Sequence, residues 1–356
     1  MADTPLRLDC RCFGTVQGLD VDCYTLARAG GVEISILSYG GIIQSIRVPD
    51  RTGASENVVL GFSDLDDYLA AGDAYLGAIV GRCANRIAHG QFTLDGRAHR
   101  LTCNEGDNHL HGGHAGFDKK VWRARPRVGE REIAVVLSHT SEDGDEGYPG
   151  KVDVEVVYSL TLDNVVRIEC RAVTTHATVV NLTSHSLFNL AGEGRGTVLE
   201  HELWLEADRY TLVDPELIPT GELAPVAGTP MDFRRPAEIG SRIGETFDQL
   251  FLGSGYDHNF ALDARDPSAP AARLADGRSG RVLEISTTEP GIQLYTGGKL
   301  DGTLVGARGS VYQRFAGVAL ETQRFPDAPN HAHFPSAVLR PGERYESTTE
   351  LRFSSV

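Results

Sequence analysis

The sequence predicts an all-β protein, and three observations support this fold class. Forty glycines and sixteen prolines are spread along the 356 residues rather than clustered, as expected for many short strands joined by tight turns. Several runs alternate apolar and polar residues with a period of two, which is typical of strands with one buried face. Helical signals are short and local. Because all-β sandwiches and barrels often run long as single units, we expect residues 1–356 to form one domain.

The first part of the chain is predicted to contain strands and then a short helix. Residues 25–49 are rich in Val, Ile and Leu, and the two glycines within residues 38–41 allow a bulge or tight turn between strands. Residues 63–66 have the spacing of a capping box. This predicts a helix over residues 67–71 that ends at Gly72.

Two hairpins are predicted in the middle of the chain. Residues 91–97 alternate apolar and polar side chains and turn at an Asp-Gly pair, which is the strongest short-range hairpin signal. Residues 152–160 have apolar side chains at every second position, residues 163–164 reverse the chain, and the same period returns over residues 166–170. The second hairpin leads directly towards a strand-like run that contains a histidine.

The second half of the chain is predicted to continue the pattern of strands. Residues 200–260 carry several Pro and Gly residues and indicate strands linked by ordered loops, with one helical turn over residues 235–240. Residues 263–280 are expected to form a polar surface excursion. They are not expected to be a domain linker, because strand-like sequence with the same period resumes at residues 281–285. Residues 317–322 indicate a further strand.

The charge balance limits the partners of this chain. It has 34 basic and 49 acidic residues, a net charge of −15, which disfavours a phosphate backbone and an anionic membrane surface. We therefore expect a neutral or small polar ligand, with neither nucleic acid nor membrane as a partner. The first residues lack a basic stretch followed by an apolar one, and no apolar run approaches the about 18 residues of a membrane span. A soluble, cytoplasmic protein is expected.

Neither a cofactor nor a metal is expected. The six cysteines include no C-x-x-C pair, which predicts reduced, mostly buried thiols rather than disulfides or a zinc site. His109 and His111 share one face of a strand, but no nearby Asp, Glu or Cys has familiar ligand spacing. The sequence also lacks a phosphate-binding Gly-rich loop, a G-x-S-x-G turn and an H-E-x-x-H helix.

Two residues are candidates for acid-base chemistry. His185 lies inside the strand-like run 181–190, where it is either a core residue or a working acid. The reference pKa of imidazole, about 6.5, makes both protonation states available near neutrality. Glu321 lies on the strand face that carries small side chains, so it is either a half-exposed strand residue or a base that lines a cleft.

Several polar residues are candidates for binding. Arg82 and Arg86 offer rigid donors suited to paired hydroxyls or a carboxylate, although isolated arginines are more often surface charges. Residues 104–113 bring polar groups and glycines together, so the backbone there can approach a ligand closely while His111 contacts it.

Two further segments permit more than one interpretation. Residues 256–260 bracket Asp257 and two other polar side chains with two aromatic residues. This is found both in sugar clefts and in loops anchored by aromatic residues in the core. His331 and His333 lie between two prolines, and a solvated loop is expected there.

Taken in order along the chain, eight motifs make the sequence resemble the galactose mutarotase (aldose 1-epimerase) family over nearly its whole length. The motifs are Gly81-Arg82-Cys83-Ala84-Asn85-Arg86-Ile87, Asn108-His109-Leu110-His111-Gly112-Gly113, Gly116-Phe117-Asp118-Lys119 through Trp122, Gly147-Tyr148-Pro149-Gly150, the His185 segment, Tyr256-Asp257-His258-Asn259-Phe260, Gln293-Leu294-Tyr295-Thr296-Gly297 and Leu320-Glu321-Thr322-Gln323. Each motif is weak alone, but eight in this order are specific.

The resemblance implies a single large antiparallel β-sandwich with an open cleft across one face. It implies that Glu321 is the general base and His185 the general acid. The residues implied to hold the sugar hydroxyls are Asn85, Arg86, His111, Asp257 and Gln293. The implied substrate is a free monosaccharide, and no metal or cofactor is needed. Monomer and homodimer both remain open.

Three positions depart from the commoner pattern of the family. Glu289 stands where many relatives have Gln, and it is expected to alter a charge near the cleft. Ser184 stands where Asn is frequent beside the acid, which is expected to change a side-chain hydrogen bond. The 263–280 segment is longer than usual. These departures leave the preferred sugar open.

Two other functions are compatible with the same residues, and a third lacks a feature that it needs. A carbohydrate-binding or sensing module would use the cleft residues without turnover. A glycoside hydrolase would use Asp257 and Glu321 as its pair of carboxylates, although it has no obvious use for His185. An epimerase for hexose 6-phosphates requires an added basic cluster, which the motifs do not contain.

Overall fold

The structure is a computed structural model that describes residues 6–262 and 266–356. The interpretation of the first five residues, and residues 263–265 of the predicted polar excursion, lie outside the described residues.

Strands dominate the described chain. In order they are Leu6–Val16 (β1), Leu19–Arg28 (β2), Glu33–Leu37 (β3), Ile43–Pro49 (β4), Ser55–Asn57 (β5), Ile79–Val80 (β6), Arg86–Ile87 (β7), Gln91–Leu94 (β8), Arg97–Arg100 (β9), His109–Leu110 (β10), Arg123–Val128 (β11), Glu132–Ser141 (β12), Val152–Thr161 (β13), Val165–Thr174 (β14), Thr178–Val179 (β15), Thr183–Ser184 (β16), Leu187–Phe188 (β17), Glu202–Leu205 (β18), Arg209–Val213 (β19), Pro219–Pro225 (β20), Ala237–Glu238 (β21), Asp257–Ala261 (β22), Ala272–Ala275 (β23), Arg281–Thr287 (β24), Gly291–Tyr295 (β25), Val318–Gln323 (β26), Val338–Leu339 (β27) and Tyr345–Ser355 (β28).

Helices are short and peripheral. The α-helices are Leu65–Ala70 (α1) and Asp248–Leu252 (α2). Single 3-10 turns occur at Gly72–Ala74, Ala88–Gly90, Phe117–Lys119, Asp145–Gly147, Ile239–Ser241 and Ala328–Asn330. No helix of the described residues is long and apolar enough to cross a membrane.

Three large antiparallel sheets form the fold. The first has nine strands in the order β11-β12-β13-β14-β28-β24-β23-β18-β21, the second has five in the order β1-β2-β3-β4-β5, and the third has six in the order β17-β26-β25-β22-β19-β20. The main apolar core contains residues from all three, such as Tyr158 of the first, Ile34 of the second and Leu320 of the third. The two smaller sheets therefore pack on the nine-stranded sheet. This confirms the predicted all-β sandwich.

The predicted turns and hairpins are present. Gly40 and Gly41, between β3 and β4, both have positive φ (+64° and +57°). Asp95 and Gly96 have φ of +51° and +76°, as a two-residue hairpin between β8 and β9 requires. Strands β13 and β14 pair in register on either side of Asn164, which also has positive φ.

The predicted capping box does not form. Helix α1 begins at Leu65, Asp64 occupies the N-cap position, and no side chain caps the helix. The Ser63 hydroxyl instead donates to the Asp64 carboxylate at 2.8 Å, so it is not available to the helix N–H groups. Gly72 does not close the helix either, because it begins a 3-10 turn.

Two predictions in the second half need correction. The helical turn expected over residues 235–240 begins only at Ile239, because Ala237 and Glu238 form the edge strand β21. The segment 263–280 is not wholly a surface excursion, because β23 lies inside it and pairs with β18 and β24. Ala272 and Leu274 of β23 are buried. This strand is only four residues long, so its alternation is hidden between polar turns.

The cysteines form no disulfide bonds. All six are unpaired, as expected from the absence of C-x-x-C spacing. Cys23, Cys83 and Cys170 are buried, whereas Cys10, Cys12 and Cys103 are exposed. The expectation of mostly buried thiols was therefore wrong for half of them. Cys10 and Cys12 are exposed because they lie on the edge strand β1, where residues 9–12 all face solvent, and Cys103 lies outside the strands.

Candidate active site

The pairing of β17 with β26 brings the two acid-base candidates together. In this ladder Leu187 lies opposite Ala319 and Phe188 opposite Val318. Continuing the antiparallel register by two residues places His185 opposite Glu321. The side chains of both residues point away from the main core, because Val318 and Leu320 occupy the inward face of β26.

His185 and Glu321 are close and buried. The His185 Nε2 lies 3.9 Å from Glu321 Oε1. Glu321 is only 2% exposed, so the interpretation as a half-exposed strand residue was wrong. The backbone of His185 is fixed on its other side, where its N–H donates to Ala78 at 2.9 Å and its carbonyl accepts from Gly77 at 3.0 Å.

Burial changes the proton affinities of this pair in opposite directions. Burial and the charge of Asp257 raise the pKa of Glu321 to about 8, although the charge of Arg86 opposes this. Burial lowers the pKa of His185 to about 4. Near neutrality the pair therefore holds one proton, which is mainly on the carboxyl group. The expectation that His185 titrates near its reference pKa was wrong, since the cleft removes water from the imidazolium.

Asp257 and Gln293 lie on strands next to Glu321. In the ladder between β25 and β26, Gln293 is directly opposite Glu321. Asp257 begins β22, the next strand across, and accepts a 2.7 Å hydrogen bond from Gln293 Nε2. Both residues are buried. Asp257 lines the cleft, whereas Gln293 contacts Asp257 and is not among the cleft-lining residues.

Asn85, Arg86 and His111 come from a second, small ladder. Strand β7 pairs with β10, so Asn85 and His111 lie side by side at the end of the pair. The His111 N–H donates to Asn85 O at 2.9 Å, and the Asn85 N–H donates to His111 Nδ1 at 3.2 Å. Asn85 and His111 both have positive φ, near +60° and +53°. Such backbone conformations often occur at functional sites.

Arg86 is held by an ion pair at the cleft. Its Nε and Nη2 donate to the two carboxylate oxygens of Glu105 at 2.6 and 2.7 Å. Lys299 reaches the same carboxylate at 3.3 Å. On the other side of β7, the Asp327 N–H donates to Arg86 O at 2.8 Å. Isolated arginines are more often surface charges, but Arg82 and Arg86 are both buried. Arg82 donates to the carbonyls of Pro149 and Gly150 and is not among the residues that line the cleft.

The tautomer of His111 follows from its contacts. Because Nδ1 accepts the Asn85 N–H, the ring proton is assigned to Nε2. Burial, His185 and the charge of Arg86 lower the pKa of His111 well below its usual range. His111 is thus a neutral imidazole that can donate one hydrogen bond. Its ring also packs against Tyr75 at 4.7 Å between centroids.

One group in the described residues has metal-like spacing. Ligand atoms of His111, His185 and Glu321 all lie within 4.8 Å of one another. Two imidazoles and one carboxylate match the number and type of protein ligands found at many zinc and iron sites. A metal on His111 Nε2 would move the ring proton to Nδ1, where it would face the Asn85 N–H. The donor set therefore fits a hydrogen-bonded sugar better than a metal ion.

These residues surround a cleft of about 420 Å³. The sequence-predicted residues that line it are Asn85, Arg86, His111, His185, Asp257 and Glu321. Sequence analysis missed several other residues that also line it, namely Tyr75, Glu105, Tyr295, Lys299, Leu300, Asp301, Thr303 and Leu304. Glu105 lies within the polar segment 104–113 and could have been found there. Lys299 carries no comparable signal, because only the fold brings its loop to the cleft.

The structure also describes residues 256–260 and the loop of His331 and His333, whose interpretation from sequence was open. Tyr256 and Phe260 are fully buried in the core, as expected for a segment anchored by its aromatic residues, while Asp257 faces the cleft. The interpretation of residues 256–260 as part of a sugar cleft stays a prediction. The loop of His331 and His333 is not simply solvated, since their Nε2 atoms lie 3.1 and 2.8 Å from carbonyl oxygens of β20. Backbone polar groups at this edge need partners, which these imidazoles supply.

The two substituted positions lie away from the cleft lining. Glu289 is buried, and its Oε1 accepts from the Tyr345 hydroxyl at 2.8 Å. Burial raises the pKa of Glu289, and the residue is not among those that line the cleft. Ser184 points into the sandwich, where its hydroxyl lies 3.4 Å from that of Ser186. Neither Glu289 nor Ser184 lines the cleft, so neither contacts a ligand there directly.

Comparison with known proteins agrees with this geometry. The sequence model of the family described as aldose 1-epimerase matches residues 22–352. Galactose mutarotase of Sus scrofa is 48% identical over 323 residues, which are 91% of this chain and 91% of that protein. The chain belongs to the aldose 1-epimerase family.

Other relatives extend the comparison. Aldose 1-epimerase of Escherichia coli K12 is 39% identical, over 92% of this chain and 94% of that protein. The crystal structure of galactose 1-epimerase from Lactobacillus acidophilus superposes with a TM-score of 0.88 at 29% identity, covering 98% and 99% of the two chains. The family member described here is therefore an isomerase of the mutarotase class, and the comparisons give no support to a binding module without turnover.

Proposed function

We propose that this enzyme interconverts the α and β anomers of galactose or a similar free aldose, with Glu321 as the base and His185 as the acid. The observation that carries the proposal is the buried pair of these two side chains, 3.9 Å apart in one cleft. Galactose is the first candidate because relatives of this chain are galactose mutarotases.

The pair matches the needs of the reaction. Opening a pyranose ring requires removal of the proton from the C1 hydroxyl and protonation of the ring oxygen, which breaks the bond between C1 and that oxygen. Rotation about the C1–C2 bond then lets the ring close on the other face of the aldehyde, with the two proton transfers reversed. Glu321 accepts the first proton and His185 donates the second. Each positioned proton transfer contributes about 10²- to 10⁴-fold to the rate.

Five residues are proposed to hold the sugar. Arg86, Asn85, His111 and Asp257 face the cleft and offer both donors and acceptors to hydroxyls. His111 donates from Nε2, as its tautomer requires. Gln293 acts through Asp257, whose carboxylate it holds by the 2.7 Å hydrogen bond. These contacts orient C1 rather than change bonds.

Sugar binding is proposed to redistribute the proton of the pair. Before the sugar binds, the proton is mainly on Glu321, because burial disfavours the charged form of both groups. Sugar hydroxyls that donate to the carboxylate stabilise its charged form, and the positive Arg86 acts in the same direction. The carboxylate and imidazolium then form without any proton leaving the pair.

The direct test is polarimetry on freshly dissolved α-galactose, with glucose and xylose measured at the same enzyme concentration. We expect the optical rotation to reach equilibrium faster with the enzyme than in buffer, with galactose among the better substrates. The chain should release no nitrophenol from nitrophenyl galactosides. Rates equal to those in buffer for every sugar would contradict the proposal.

The pH profile should reflect the shared proton. Below about pH 4 both groups are protonated and no base remains, and above about pH 8 both are deprotonated and no acid remains. We expect the pH profile of kcat/KM to be bell-shaped. Above about pH 8 the value of kcat/KM should fall about tenfold per pH unit. Initial rates between pH 4 and 9.5, corrected for the buffer reaction, measure this. A decline that begins near pH 6.5 would contradict the shifted values.

We also propose the setting of the enzyme. Residues 1–356 are proposed to act as one domain, since the site draws on residues from 85 to 321 and the C-terminal strand β28 lies within the nine-stranded sheet. The six unpaired thiols support the cytoplasm as its location. A monomer or a homodimer is proposed, and light scattering separates the two.

A further inference from the structure

Asn181 is a buried asparagine at which three segments of the site meet. It lies four residues before His185, is 1% exposed, and is not among the residues that line the cleft. Its main chain forms a parallel bridge with Cys83. None of its contacts involves the acid or base directly, so any effect on the reaction must pass through the backbone.

The main chain of Asn181 holds the segment that carries Asn85 and Arg86. Its N–H donates to Arg82 O at 3.0 Å, and its carbonyl accepts from the Ala84 N–H at 2.8 Å. Asn85 and Arg86 follow Ala84 immediately in the chain. These two bonds join the segment of the acid to the segment of the hydroxyl-binding residues.

The side chain of Asn181 holds the segment that carries the base. Its Oδ1 accepts from the Arg324 N–H at 2.9 Å, and its Nδ2 donates to Arg324 O at 3.2 Å. Nδ2 also lies 3.4 Å from Ala84 O. Arg324 follows β26 and is three residues after Glu321. The amide thus pairs with Arg324 as a neighbouring strand would, and it links all three segments.

Asn181 and the β17–β26 ladder bracket the catalytic pair. The ladder consists of two residue pairs, Leu187–Ala319 and Phe188–Val318. At His185 the backbone bonds instead to residues 77–78, on the side away from β26. His185 and Glu321 therefore lie between two fixed points, the short ladder at one end and the Asn181–Arg324 pairing at the other.

We propose that Asn181 is a positioning residue that sets the separation of the acid from the base and aligns both with the hydroxyl-binding segment. This inference rests on the proposed function of His185 and Glu321. From Asn181 to His185, and from Arg324 to Glu321, the chain extends about 13 and 10 Å at the rise of a strand. A small tilt at Asn181 therefore moves the two reacting groups relative to each other.

The test is Asn181→Ala, measured by polarimetry together with equilibrium titration of galactose. We expect kcat to fall about 10- to 100-fold, because proton transfer depends on sub-ångström placement of the groups. We expect KM and the titrated affinity to change less than about threefold, since sugar hydrogen bonds tolerate small shifts. A variant that only lost stability would keep the kcat of its folded fraction.

Asn57→Ala is the matched control. Asn57 is also a buried asparagine whose side chain bonds two backbone segments, with Ile46 N–H to Oδ1 at 3.0 Å and Nδ2 to Val59 O at 2.9 Å. It belongs to the five-stranded sheet and does not line the cleft. Its replacement should lower the midpoint of thermal unfolding and leave kcat unchanged.

A second variant covers the case in which Asn181→Ala does not fold. Asn181→Asp keeps the size and the Oδ1 acceptor but loses both bonds donated by Nδ2. The same drop in kcat with little change in KM is expected. Equal kcat in wild type and folded variants, or a loss confined to KM, overturns the positioning role alone. A wild-type enzyme without activity overturns the proposed function and this inference together.

Discussion

Glu321→Gln should reduce kcat by at least about 10³-fold. The amide has nearly the same shape as the protonated carboxyl but cannot accept the proton of the C1 hydroxyl. Glu321 is fully buried among the site residues, so water cannot readily replace it. Exchange NMR between the two anomeric protons of galactose measures the effect, because wild-type enzyme adds exchange cross-peaks that the variant should lack.

Glu289→Gln provides the matched control for this experiment. Glu289 is also a buried carboxyl with a raised pKa, but it bonds to Tyr345 and does not line the cleft. The same chemical change there should leave the exchange rate within about twofold. Equal exchange in the wild-type enzyme and in Glu321→Gln would remove Glu321 from the role of base.

His185→Asn should reduce kcat by about 10²- to 10³-fold. Asparagine cannot transfer a proton to the ring oxygen, yet it is smaller than imidazole and leaves space for a water that supplies part of the function. The control is His201→Asn, since His201 is also buried and has a pKa lowered to about 4, but it accepts a hydrogen bond from the Leu190 N–H and does not line the cleft. That variant should retain its kcat once folded.

The double variant of Glu321→Gln with His185→Asn tests concerted action. Because the two groups share one proton across 3.9 Å, removing the second should cost little after the first is lost. We expect the double variant to be within about threefold of Glu321→Gln alone. If the reductions in kcat of the two single variants multiply instead, the groups act independently. The explanation of the pH profile by one shared proton would then be wrong.

Local sequence patterns predicted those turns and strands whose formation depends on residues close together in the chain. The Asp95-Gly96 turn and the alternation along β13 were predicted correctly, because turn geometry and period-two burial are properties of short segments. The capping box at Ser63 was not, because the competing Asp64 side chain takes its hydroxyl. Strand β23 was not predicted, because its four residues are too few to show a recognisable alternation of apolar and polar side chains.

The candidate site was predicted through motifs rather than through geometry. Seven residues were named from the sequence, and six of them line one cleft while Gln293 supports Asp257. The roles of these residues remain predictions. Burial reversed two local expectations, since Arg86 proved to be buried in an ion pair with Glu105, and His185 has a low pKa instead of the reference value.

By itself the sequence determined the all-β class, most turns and, through its motifs, the family. Only the tertiary structure decided that His185 lies opposite Glu321, that Lys299 reaches the cleft, and that Asn181 joins three segments. The physical reason is that these relations depend on the register between strands far apart in the chain, and on the removal of water from the site, neither of which leaves a local pattern of residues.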